Sequence, residues 1–127
     1  MEDIFYLSKL PVGKSDIIAA AVQSGLKSEE LENEDVRIIP ESDTYWDFDR
    51  FETEADMRCL DDEDLKRLRS LKPGSTFIVT HHYNTRKSLV GFLHKLMTQR
   101  GGWVTLDLEE IYDKEALQTF IKRHCSP

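Results

Sequence analysis

The chain has 127 residues, enough for one domain of ordinary size with a core of its own. Its 24 acids outnumber its 17 Lys and Arg for a formal charge of −7, and an acidic molecule repels phosphate backbones, which disfavours DNA or RNA as a partner. No run approaches the roughly 18 apolar residues of a membrane span, and MEDIFYLSKL lacks the basic start and cleavage site of a secretory signal, so neither membrane insertion nor export is expected.

Ile4 to Leu7 is apolar throughout and predicts a strand buried on both faces. Pro11 and Gly13 end it. Ser15 is then expected to cap a short helix with Ile17, Ile18, Ala21 and Val22 on one face, closed by Gly25. Gly13-Lys14-Ser15 is the tail of a phosphate-loop pattern. However, Ser8 stands where that pattern needs its first glycine, so a turn and a helix cap account for it. Lys27 to Asp35 reads as a solvated acidic linker, and Val36 to Ile39 as a strand stopped by Pro40.

Residues 41–59 follow neither period cleanly. Tyr45-Trp46-Asp47-Phe48-Asp49 partly alternates, which suggests an edge strand, and Met57 to Leu60 suggests another short one. Asp61 or Asp62 caps the next helix, which carries its acids in the first turn and Lys66, Arg67, Arg69 and Lys72 after it, matching the helix dipole. Pro73-Gly74 ends it.

The strongest signals lie in residues 75–108. A strand from Thr76 to Thr80 leads into a helix from Asn84 to Gln99, with Asn84 or Thr85 as its cap. Leu89, Phe92, Leu93, Leu96 and Met97 share one face of that helix, and Gly101 supplies the left-handed stop. A strand from Trp103 to Leu108 follows. Asp113 caps a last helix in which Leu117, Phe120 and Ile121 face inward. The sum is an α+β domain over residues 1–127, a single mixed or antiparallel sheet with helices packed on one face. A ferredoxin-like split β-α-β arrangement with an acidic insertion and a C-terminal helix is its simplest home, and another strand order is the alternative.

Charge divides unevenly. Residues 1–64 hold 19 acids and 6 bases, a net of −13; residues 65–127 hold 5 acids and 11 bases, a net of +6. Cys59 and Cys125 are too few for a disulfide-stapled scaffold, and a reducing, cytoplasmic setting is the expectation.

Two stretches are candidates for function. In the insertion, Tyr45, Trp46 and Phe48 alternate with Asp43, Asp47, Asp49 and Glu52. Exposed aromatics anchor protein interfaces while opposite charge steers the encounter, so these residues suit a basic partner. The plain alternative is that the rings are core and the acids a solvated cover. The second stretch is His81-His82-Tyr83 at a strand end, a common position for an active site, although adjacent strand residues point to opposite faces. His81, His82, His94 and Cys59 lack metal-ligand spacing, and neither a cofactor loop nor a nucleophile with a local partner is present.

With its small size, acidic charge and lack of a catalytic signature, the chain resembles the bacterial immunity proteins of polymorphic-toxin and contact-dependent inhibition systems. The resemblance covers about a quarter of the sequence and includes the run Gly101-Gly102-Trp103-Val104-Thr105-Leu106-Asp107 after a strand and a helix. It implies a tight, stoichiometric inhibitor of one cationic toxin, often a nuclease, with the acidic insertion blocking the active site as a phosphate mimic. A small enzyme using His81 or His82, or a regulatory module holding a small ligand, are the other classes carried forward.

Overall fold

A computed structural model of the chain describes residues 2–32, 35–51, 62–105 and 110–124. The strands are β1 (Glu2–Ser8), β2 (Lys27–Glu30), β3 (Val36–Ile39), β4 (Trp46–Phe51), β5 (Ser75–His81), β6 (Trp103–Thr105) and β7 (Ile111–Tyr112). The helices are α1 (Lys14–Gln23), α2 (Asp62–Ser70), α3 (Arg86–Arg100, entered through a 3-10 turn at Tyr83–Thr85) and α4 (Lys114–His124). Every strand pairing is antiparallel, and the sheet order is β2-β3-β4-β5-β1-β6-β7. The fold is therefore α+β with one antiparallel sheet.

The centre of the sheet is β1. Ile4 and Tyr6 point to the layer formed by α1, α3 and α4, while Phe5 and Leu7 point to the other side, and all four are buried. On the helix side, Leu89, Val90, Phe92, Leu93, Leu96 and Met97 of α3 meet Ile4, Tyr6, Phe77, Val79 and Phe48. Leu117 of α4 joins this core, with Phe120 and Ile121 packed against it. On the other side Phe5 and Leu7 pack with Ile78, Trp103 and Leu71. Leu71 directly follows α2, and this stretch of chain shields a corner of the second face.

Three local expectations are corrected. Gly13, not Ser15, is the N-cap of α1; its N–H donates to Asp16 Oδ2 at 2.8 Å. That carboxylate, also held by Arg100 of α3, is the anion at this helix start, and it would repel a phosphate there. The acidic stretch after residue 26 is not wholly linker, because Lys27–Glu30 pairs with β3 as an edge strand; charged side chains are a usual device for blunting such an edge. Finally, Tyr45 to Asp49 belongs to no edge: β4 lies between β3 and β5. The strand expected at Met57 to Leu60 lies outside the described residues, as do Cys59 and Cys125.

The Gly-Gly pair after α3 has a packing cause. Gly101 ends α3 with a positive φ but an extended ψ (+66°, −166°), a glycine conformation other than the expected left-handed helical stop, and donates its N–H to the Met97 carbonyl. Gly102 (φ +108°) runs against β1, where a Cβ would stand 2.0 Å from the Leu7 carbonyl oxygen. Only glycine fits.

Candidate binding surface

Strand β4 sorts the insertion residues by parity. Trp46 pairs with His81 and Phe48 with Val79, and both side chains enter the helix-side core, at 1% and 0% exposure. Phe48 meets Phe77 and Phe92 edge to face at 6.2 and 6.0 Å. The Trp46 indole N–H donates to Thr85 Oγ1 at 3.0 Å, and that hydroxyl donates to the His82 carbonyl at 2.7 Å. Trp46 and Phe48 are thus core residues and not surface anchors: an apolar pair at i and i+2 lies on one side of a strand, and here α1 and α3 cover that side. Asp43 is exposed in the turn before β4, with a left-handed backbone (φ +66°). Glu52 lies outside the described residues.

Tyr45, Asp47 and Asp49 lie on the second face. There the strand register sets up one lateral row, Glu29–Arg37–Asp47–Thr80–Asp3, across β2, β3, β4, β5 and β1. The Arg37 guanidinium donates to both Asp47 oxygens, at 2.7 and 3.1 Å, and Thr80 Oγ1 donates to Asp3 Oδ1 at 2.9 Å. The Tyr45 ring stacks under the guanidinium, 4.2 Å from Arg37 Cζ to its centroid, and touches the His82 ring edge-on at 4.9 Å.

Next to this row, on the same face, sits Asp49. It is half-buried and has no hydrogen bond or ion pair among the described residues. Burial raises its carboxyl above the ordinary carboxylate range, and the neighbouring Asp35, Asp47 and Asp3 push the same way; Arg37 offsets this in part. Asp35 is itself oriented, accepting the Arg50 backbone N–H at 3.1 Å. Carboxylates from β1, β4 and the β3 approach thus act together on Asp49, with Arg37 as the opposing charge.

The two histidines part company. His81 is fully buried beneath the helices, whereas His82, one residue later, turns its ring toward Tyr45. Tyr83 lies in the 3-10 turn, and its side chain is outside the described set. A cleft of about 310 Å³ opens beside Trp46, Ser88 and Phe92, and neither His81 nor His82 lines it. Among the described residues no three His, Cys, Asp or Glu side chains are grouped to hold a metal ion, and no helix is long and apolar enough to cross a membrane.

Reading the sequence alone misses Arg37, Asp35 and Asp3 as neighbours of Asp47 and Asp49. Alternation on Val36 to Ile39 places Arg37 opposite its apolar neighbours, but which strand lies beside it is a matter of long-range pairing. No family model, curated protein or solved structure matches the chain.

Proposed function

We propose that this chain is a non-catalytic binding protein whose second sheet face receives a basic protein, and that its role is that of a cytoplasmic immunity protein neutralising a cationic toxin such as a nuclease. The observation that carries this reading is the crowding of Asp49 by Asp35, Asp47 and Asp3. Half-buried like charges destabilise a fold, and such local cost is characteristic of surfaces kept for binding. A Lys or Arg delivered by a partner would relieve the repulsion, and the excess negative potential would speed the encounter. With Trp46 and Phe48 in the core, Tyr45 takes over as the aromatic contact, already ordered by Arg37 and His82. The Gly101-Gly102-Trp103 run has a packing explanation, so the acidic face and not that motif supports the proposal.

We also infer a ferredoxin-like core. In support, β5 and β6, joined through α3, run parallel on either side of β1, and β1 and β2, joined through α1, are also parallel. The β3–β4 hairpin widens this core between β2 and β5, and β7 extends its other edge.

The test is affinity capture with the products of the genes flanking this chain's own, screened for a basic protein. One stoichiometric complex is expected, lost when Asp49→Lys reverses the charge on the second face and kept when Glu115→Lys does so on α4. A complex that survives Asp49→Lys in a folded variant, or no complex at all, overturns the proposal.

A further inference from the structure

The helix side of the molecule carries a separate feature. Two depressions meet along the seam between α1 and α3, sharing Ser24 and Lys95. The first, of about 310 Å³, is closed by the end of α1 (Ser24, Leu26), by the turn after β3 (Pro40, Glu41) and by α3, with Trp46 and Phe92 at its base. That volume is at the small end of sites that hold metabolites.

Gly91 makes the space. It sits in the middle of the fifteen-residue helix α3, where glycine costs roughly 1 kcal/mol relative to alanine. Among the described residues nothing requires it: a Cβ there would meet no atom within 4 Å. This is the reverse of Gly102, which the Leu7 carbonyl makes obligatory. The missing side chain leaves the wall of the cleft open, and a larger residue would project into that opening.

The lining has a specific chemistry. Lys95 from α3 and Glu41 from the turn supply opposite charges from different elements, and neither is ion-paired among the described residues. The hydroxyls of Ser24 and Ser88 add hydrogen-bonding groups, Leu26 and Pro40 supply apolar surface, and the almost fully buried Trp46–Phe92 ring pair, with centroids 5.6 Å apart, backs the floor. The Trp46 indole N–H is already committed to Thr85, so a ligand meets only ring carbons there.

We propose that this cleft binds a small zwitterion of the amino-acid class with an apolar side chain. Lys95 meets the carboxylate, Glu41 the ammonium, and the side chain lies over the Trp46–Phe92 floor beside Gly91. The site is independent of the acidic sheet face, and the two readings stand or fall separately.

The experiment titrates the full chain with L-leucine, L-methionine and L-phenylalanine, following Trp46 emission in a Trp103→Phe background and the thermal transition of the unsubstituted protein. At least one amino acid is expected to give a saturable change in both by about 10 mM, the range of a millimolar site. Its N-acetyl amide, which lacks both charges, should bind at least about tenfold more weakly. Gly91→Leu, whose Cβ has clear space and whose remaining carbons project into the cleft, should fold with a thermal transition no lower than that of the unsubstituted protein and lose the response. Absence of a saturable change with all three amino acids, equal binding of the neutral derivative, or unaltered binding by a folded Gly91→Leu would each overturn the assignment.

Discussion

Arg37 grips Asp47 across the β3–β4 pairing through two hydrogen bonds, and the same guanidinium covers the ring of Tyr45. The pair is partly exposed, so solvent screens it, but the two-pronged geometry places it at the upper end for surface ion pairs. A double-mutant cycle with Arg37→Met and Asp47→Asn, read by urea denaturation, should give a coupling of about 0.5–1 kcal/mol. Arg37→Met alone should cost more than Asp47→Asn, because it also leaves Asp49 among carboxylates with less compensation.

Asp49 carries a charge the fold resists. Its folded carboxyl titrates above the ordinary value, so between those two values the native state holds more protons than the unfolded one. In that window stability falls as pH rises, and at neutral pH the charged carboxylate is a net cost. Asp49→Asn should therefore raise the thermal midpoint at pH 7, with little effect below the ordinary carboxylate range. Added salt should shrink the difference, since it screens Asp35, Asp47 and Asp3. A midpoint lowered at neutral pH would contradict the crowding.

His94 has the opposite sign. Burial, and then the nearby Lys114, hold its imidazole below the ordinary histidine value, and its Nε2 is buried with no hydrogen-bond partner among the described residues. Protonation therefore favours the unfolded chain. Stability should fall as pH drops from above the ordinary histidine value toward the lowered one, then level off. His94→Gln should flatten that part of the stability profile, and hydrogen exchange should locate the acid-induced loosening at the α3–α4 contact.

Trp46→Ala should cost about 3–5 kcal/mol, the range for removing a large buried ring, and would report on the core and not on partner binding. Trp46→Phe should be milder. It loses the bond to Thr85, whose hydroxyl still donates to the His82 carbonyl. Chemical denaturation of both variants gives the comparison.

The two glycines of contrasting surroundings should respond in opposite directions. Gly91→Ala should stabilise by roughly 0.5–1 kcal/mol, since it removes helix-interior glycine and meets no neighbour. Gly102→Ala should destabilise by about 2 kcal/mol or more, because β1 must move to clear the new methyl from the Leu7 carbonyl.

Period and capping made the helices legible: α3 with its Gly101 stop, and α4 with Asp113 capping through the Ala116 N–H at 2.8 Å, follow from local spacing. The four apolar residues of β1 likewise announced a strand buried on both sides. Pairing did not declare itself. Lys27–Glu30 has no apolar signal and is a strand only because β3 lies beside it, and β7 is two residues long. At the candidate surface the right stretch stood out by composition, and alternation separated Trp46 and Phe48 from Asp47 and Asp49. Which set faced outward depended on where α1 and α3 came to rest. The Arg37–Asp47 row needed a register that no local pattern contains.

The charged margin at β2 has a consequence for recognition. With Lys27, Glu29 and Glu30 along one border of the sheet and, among the described residues, only Ile111–Tyr112 forming the other, neither side invites an incoming strand to continue the main-chain ladder. Selectivity in this molecule therefore has to be written in side chains spread over its broad surfaces, where single substitutions can retune the choice of companion without disturbing the scaffold.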